Sequence, residues 1–290
     1  MIQYNPFKNL MMSGNVQYRY ASFNYIDYIN NSNSFNKTDY DTEWDFCNFG
    51  FNIEYNPFNS TKIYTKFNHV NREPTRSDMF GGNETFTGEF ATLNSEIAND
   101  IEFGFEYILN NKIYANVNFY HMWFKNELIL NGEFGLNGLP CHDNAIESYR
   151  NGVEIDVKWQ IVSSLNFDVN ASYSSNKCTT ESFGKTNHIL TPAITTNADL
   201  YWHNNGFNIG FNTNYHSKMY VDISNDYSIP YLWTLNFHGL YKYQNFEFGL
   251  RVNNLTNRVN YCTGLVNDIG QLLYLRNAGT NFIASIKYVF

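Results

Sequence analysis

The chain is short of charge. Only 16% of its 290 residues are Asp, Glu, Lys or Arg, where a soluble domain carries about 25%. Its net charge of −8 speaks against a nucleic-acid partner, which would be held by clustered Lys and Arg. Long apolar runs are missing too: no stretch reaches the roughly 18 consecutive apolar residues of a membrane-spanning helix. The opening MIQYNPFKNLMM lacks the basic start and unbroken apolar segment of a signal peptide. Cys47, Cys141, Cys178 and Cys262 stand far apart with no CxxC, so they make no zinc or redox motif and their disulfide state is left open. The seven histidines do not cluster at ligand spacing. HExxH, a phosphate-binding loop and GxSxG are absent. No two acids are spaced as a general acid and base. No catalytic site, cofactor or metal is therefore expected.

Aromatic residues are plentiful, at 18% of the chain, with 25 Phe and 23 Tyr. Mean hydropathy is nonetheless −0.43, because Asn, Ser and Thr fill the remaining positions. Strands with one apolar face and one uncharged polar face would give this composition. The residue order has that form. In SLNFDVNASYSSN, Leu165, Phe167, Val169, Ala171 and Tyr173 alternate with Asn166, Asp168, Asn170, Ser172 and Ser174. Phe207, Ile209 and Phe211 alternate with Asn208, Gly210 and Asn212, and Phe246, Phe248, Leu250 and Val252 with Glu247, Gly249 and Arg251. In VEIDVKW, Val153, Ile155, Val157 and Trp159 oppose Glu154, Asp156 and Lys158. Period two is the mark of a pleated strand with unlike faces.

Such runs predict about twelve strands, near 13–26, 44–56, 61–72, 98–109, 112–130, 148–160, 164–177, 190–203, 206–220, 231–243, 245–253 and 279–290. No amphipathic helix interrupts them. Short turns alternate with long polar loops near 27–43, 73–97, 131–147, 178–189, 221–230 and 254–278. Short turns at one rim and long loops at the other are the layout of an outer-membrane barrel. Tyr55, Phe58, Tyr64, Tyr107, Tyr114, Trp159, Tyr201, Trp202, Tyr241, Tyr243 and Phe246 flank the short turns, as an interfacial aromatic girdle would. A soluble β-sandwich would alternate as well, but would keep more charge on its outer face.

Several segments, in order along the chain, carry a resemblance. HVNREPTRSDMF, ANDIEFGFEY, VNFYHMWFKNELILNG, SYRNGVEIDVKW and VNNLTNRVNY resemble successive pieces of the barrel of TonB-dependent outer-membrane receptors. The final NFIASIKYVF alternates Phe282, Ala284, Ile286, Tyr288 and Phe290 outward and ends on Phe290. It is similar to the C-terminal signal by which such barrels are recognised for assembly, carried by Phe282, Ile286, Tyr288 and Phe290.

The resemblance implies an antiparallel transmembrane β-barrel. Residues 1–290 would form the C-terminal portion of a barrel of about 22 strands, with outer-membrane lipid around it and no plug domain of their own. It implies partners too: the remaining N-terminal strands and plug of a parent chain, the TonB system acting through that plug, and a small-molecule substrate. The parent would take up a scarce nutrient such as a ferric siderophore, haem, cobalamin or glycan into a Gram-negative cell. YNPFKN at 4–9 duplicates YNPFNS at 55–60. Both therefore read as short turns, and the strand that would precede the first is expected to be missing from this chain. One edge of the partial barrel is expected at 13–26 and the other at the strand ending in Phe290. Pro74 would end strand pairing. Arg72, Arg76 and Asp78 would be costly in lipid and belong at the extracellular mouth or inside it, with Arg150. These four are read either as substrate- or plug-contacting groups or as loop-bracing ion pairs. NDIGQLLYLRNAG and GEFGLNGLPCHDN are plausible lid segments. The other functional reading is a self-standing barrel of about twelve strands acting as a passive pore, which requires residues 13–26 to pair with 279–290.

Overall fold

The computed structural model describes residues 1–31, 34–81, 93–135, 138–267 and 269–290. Thirteen strands form the wall: β1 (Ile2–Phe7), β2 (Leu10–Asn31), β3 (Ser34–Phe58), β4 (Thr61–Arg72), β5 (Glu96–Leu109), β6 (Ile113–Lys125), β7 (Glu147–Val162), β8 (Leu165–Thr180), β9 (Ile194–Asn204), β10 (Phe207–His216), β11 (Leu232–Tyr243), β12 (Phe246–Asn253) and β13 (Asn281–Tyr288). Each pairs antiparallel with the next in chain order, so the wall is a meander.

The period-two pattern becomes two continuous faces because the registers align. Across six strands, Val117, Ile155, Ala171, Thr196, Tyr215 and Trp233 lie side by side. Phe237, Val252 and Phe282 continue the same face at the far end. Phe167, Val169, Phe207, Ile209, Phe211, Phe248, Leu250, Ile286 and Tyr288 all belong to it. Many of its side chains are open: Phe103 is 53% exposed, Phe119 54% and Phe211 48%. An apolar surface of this extent is stable only against lipid or another apolar partner. The opposite face carries Asn, Ser, Tyr and paired charges. Lys62 lies opposite Glu106, Lys66 opposite Glu102 and Arg72 opposite Glu96, at 2.9, 3.3 and 3.2 Å. Charges of unlike sign directly across a strand pair stabilise that register.

Close packing on the polar face depends on glycine. A Cβ on Gly152 would stand 2.3 Å from Cζ of Tyr120, and one on Gly104 2.0 Å from Cζ of Tyr64. Each tyrosine ring therefore lies flat across its neighbour's bare backbone, where any side chain would collide.

The two YNPF segments fold alike. Phe7 pairs with Leu10 and Phe58 with Thr61, each after a register shift at the preceding Asn-Pro. Proline donates no ladder hydrogen bond and is accommodated at such a bulge. The strand expected to be missing before the first turn is present in short form as β1. The edge expected at 13–26 is thereby corrected: β1 covers β2 from Leu10 to Gly14, and beyond that the edge of β2 has no partner strand among the described residues. The other edge is β13, which among the described residues pairs only with β12. Residues 13–26 and 279–290 do not pair, so the twelve-stranded closed pore is not formed and the sheet is open.

Three further expectations are revised. Part of the 27–43 loop is strand, since β2 and β3 pair without interruption to Asn31 and Ser34. At 22 residues, β2 is about twice the 9–11 of a membrane-crossing strand, so this hairpin is longer than a crossing requires. The other long connections contain small elements: hairpins Leu128–Phe134 with Pro140–Asn144, Met219–Tyr220 with Ser228–Ile229 and Tyr261–Val266 with Leu272–Arg276, and a strand Gly184–Asn187 paired to β8. Strand 112–130 accordingly stops at Lys125, and 206–220 at His216. Within 73–97 one helical turn, α1, spans Arg76–Met79, while 82–92 lie outside the described residues. The predicted girdle also divides. Tyr55, Phe58, Tyr107, Trp159, Trp202, Tyr241, Tyr243 and Phe246 stand on the apolar face. Tyr64, Tyr114 and Tyr201 take the polar one, where the Tyr114 hydroxyl donates to Glu106 at 3.3 Å.

Candidate functional site

All long connections meet one rim, and its polar residues are organised by three knots of hydrogen bonds. The first is NREPTRSDMF. Strand β4 ends at Arg72, Pro74 is buried in the turn, and Thr75 caps α1. The cap is reciprocal: Asp78 N–H donates to Thr75 Oγ1 at 3.3 Å, and Thr75 N–H to Asp78 Oδ2 at 2.8 Å. Such a box satisfies backbone donors that a helix start leaves orphaned. Asp78, Met79 and Phe80 are buried, and Phe80 packs edge-on against Tyr25 at 5.1 Å and Phe23 at 6.4 Å. The segment therefore folds inward over the polar face of the β2–β3 hairpin. Arg19 on that face grips Glu73 with both terminal nitrogens and lies 5.0 Å from the centre of the Phe46 ring. The hydrogen bonds from Arg19 hold the Glu73 carboxyl below the usual carboxylate range, against the effect of burial.

The second knot gathers three connections around Glu127, which is 5% exposed. Ser148 and Arg150, from the start of β7, both donate to its carboxylate. His188 Nε2 stands 3.3 Å from the same group, off the direction of a hydrogen bond. Arg150 also stacks over Phe124 at 4.5 Å. Burial would raise the Glu127 carboxyl, but His188, Ser148 and the charge of Arg150 outweigh it and hold the group low. Glu127, Arg150 and His188, with His142, Cys178 and Asn187, line a cavity of about 160 Å³. His142 Nδ1 reaches Asp78 Oδ1 at 3.0 Å, joining this knot to the first.

The third knot is VNNLTNRVNY. Asn254 and Asn260 are 4% and 2% exposed. Asn254 donates to the carbonyls of Arg258 at 2.9 Å and Ala278 at 3.3 Å. Asn260 accepts from Trp233 N–H at 3.1 Å and donates to Trp233 O at 2.9 Å. With Asn254 and Asn257 both left-handed at φ 51°, the asparagines act as a buckle for the last long connection. This recurring segment is a structural device here, since its amides are spent on backbone groups.

The four rim residues singled out from sequence are placed at the long-connection end but not in one cluster. Arg72 pairs with Glu96. Arg76 lies 5.0 Å over Phe80. Asp78 is taken by Thr75 and His142, and Arg150 by Glu127. Glu96, His142 and Glu127 are their partners, and with the Arg19–Glu73 pair and His188 beside Glu127 they were passed over by sequence reasoning. Glu127 sits between the polar Lys125–Asn126 pair and the apolar Leu128–Leu130 run, with nothing in its spacing to single it out. Phe282, Ile286, Tyr288 and Phe290, read from sequence as an assembly signal, are open, at 75%, 72%, 46% and 108%. The two lid candidates coincide with the 128–144 and 261–276 hairpins, apart from residues 136, 137 and 268, which lie outside the described residues. All four cysteines are free thiols. Among the described residues, no three His, Cys, Asp or Glu side chains gather as a metal-ligand set.

An open antiparallel wall with one lipid-compatible face and hairpins crowded at one rim defines a class, the large outer-membrane barrel. The family model described as TonB dependent receptor-like, beta-barrel matches residues 2–255, and the chain belongs to that family. Among solved structures it is similar to the ferric yersiniabactin uptake receptor FyuA from Yersinia pestis (TM-score 0.79, 14% identity, covering 99% of this chain and 44% of that one). It is likewise similar to the copper transporter OprC (0.78, 14%, 99% and 48%) and the siderophore receptor PiuA from Acinetobacter baumannii (0.74, 15%, 97% and 41%). At these identities the likeness is one of fold, and the chain spans less than half the length of each. No curated protein matches it.

Proposed function

We propose that this chain is the C-terminal part of the barrel wall of a TonB-dependent receptor in the outer membrane of a Gram-negative bacterium. The parent takes up a scarce nutrient, either a ferric siderophore, haem, cobalamin or a glycan. One observation carries the reading. Thirteen strands form an open wall with an unbroken apolar face, and 97–99% of the chain superposes on 41–48% of receptors and a transporter. Each unpaired edge exposes backbone groups that cost several kcal/mol apiece in hydrocarbon. Further strands from the parent would satisfy those edges, and its plug would occupy the polar side. The wall performs no bond chemistry. Arg72, Arg76, Asp78 and Arg150 act at the mouth, bracing the segments that a substrate or the plug would meet.

The test is energised uptake. Cells lacking their own receptors would produce this wall joined to the plug and upstream wall of its parent. They would be offered labelled ferric siderophores, haem, cobalamin or oligosaccharides. Uptake of one class should vanish with a protonophore or when TonB is removed. Uptake indifferent to both would favour a passive pore and refute the proposal.

A further inference from the structure

The contact between His142 and Asp78 joins two rim segments that are far apart in sequence. Asp78 is held within its own turn independently of His142. Its Oδ2 accepts from both Thr75 N–H and Thr75 Oγ1, at 2.8 and 2.7 Å, which leaves Oδ1 for His142 at 3.0 Å. Asp78 is nearly closed to solvent, with 7% of its side chain exposed against 29% for His142. One residue away, Cys141 Sγ donates to the carbonyl of Gly81 at 3.2 Å. The strand Pro140–Asn144 is thus tied at two adjacent points to the capped turn at 75–81.

We propose that His142 and Asp78 form a pH-sensitive latch between the 128–144 hairpin and the 75–81 turn, closed in acid and loosened as pH rises. Histidine changes charge between about pH 5 and 8. An imidazolium against a carboxylate makes a charge-assisted bond about twice as strong as a neutral one. The other charged or titratable groups around His142 do not supply a competing anion. Glu127 is committed to Ser148 and Arg150. Arg150, His188 and Cys178 line the same cavity. Asp143, on the same strand, accepts from Asn131 at 3.2 Å. Glu133 on the facing strand acts, with Asp143, on the Cys141 thiol, which burial and those two charges push up. Both tied segments border the mouth, so on the receptor reading the latch would set how far the mouth opens with the acidity outside the cell.

Cys141 is a built-in reporter, and Cys262, exposed on another hairpin, is its reference. The barrel that carries this wall, in detergent micelles, would be alkylated briefly at steps from pH 5.5 to 8, and each thiol quantified by peptide mass spectrometry. The ratio of Cys141 to Cys262 labelling should rise at least threefold across the range. It should stay flat and high in His142→Gln and in Asp78→Asn. A flat ratio in the unaltered chain, or the same rise in His142→Gln, would overturn the proposal. So would equal labelling of both thiols throughout, since the two segments would then not be held together. The assay involves no transport, so its failure is separate from failure of the receptor reading.

Discussion

Replacing Val169 with arginine probes the assignment of faces most directly. Val169 lies in the apolar ladder between Val157 and Ala198, four residues beyond the start of β8 at the short-turn rim. At about 3.4 Å per residue and a tilt of about 40°, it sits roughly 10 Å above that rim, near the middle of an apolar band about 25 Å tall. Arginine at the midplane of a barrel's lipid face costs about 2–4 kcal/mol, roughly a 30- to 700-fold shift in the folding equilibrium. Asn170, one residue on, points to the other side and donates to Asp156 at 3.0 Å. It is exposed, so its replacement by alanine should cost less than about 1 kcal/mol. The assay is reversible folding of the barrel that carries this wall into phosphatidylcholine vesicles, followed by denaturant titration. Equal losses for Val169→Arg and Asn170→Ala would refute the assignment, because period two would then not separate lipid from lumen.

Removing the Glu127 carboxylate by Glu127→Ala leaves Ser148 and Arg150 without their acceptor. With Arg150 still 30% exposed, the expected loss is about 1–3 kcal/mol, read as faster amide exchange at 126–130 and 147–150. Because the folded carboxyl is held low, its contribution is present above the unfolded value of about pH 4.3 and lost as pH falls through the folded one. Acid should therefore lower the protection factors there, taken against intrinsic exchange at each pH, in the unaltered chain but not further in Glu127→Gln. Asn254→Ala loses its side-chain bonds and keeps a left-handed backbone, for about 2–4 kcal/mol. Asn254→Gly should fall between, since glycine relieves only the backbone part, and exchange across 254–280 would show the order. Deleting Phe290 should lower the surface level of the parent receptor more than any single loop substitution, measured by immunoblot of outer membranes. An unchanged level would count against the assembly role of Phe282, Ile286, Tyr288 and Phe290.

Alternation alone revealed the strands and their two faces, because period two is a local property of a pleated chain. The short turns were equally legible, since Asn110, Asn205 and Gln244 take left-handed conformations within brief polar breaks between strands. The YNPF repeat marked a second short turn for the same local reason, but the strand before it, β1, emerged only in the fold. Tertiary structure decided what depends on register and distance. Neither the partnership of Lys62 with Glu106 nor the seat of Tyr120 on Gly152 can be read until two strands are aligned. Strand breaks at Lys125 and His216 fall where hairpins leave the wall. The rim shows the division most clearly. Arg72, Arg76, Asp78 and Arg150 could be listed from the sequence as charges unsuited to lipid. Their partners Glu96, His142 and Glu127 come from other connections, and a buried charge selects a partner by proximity in the folded chain, which spacing along it does not encode.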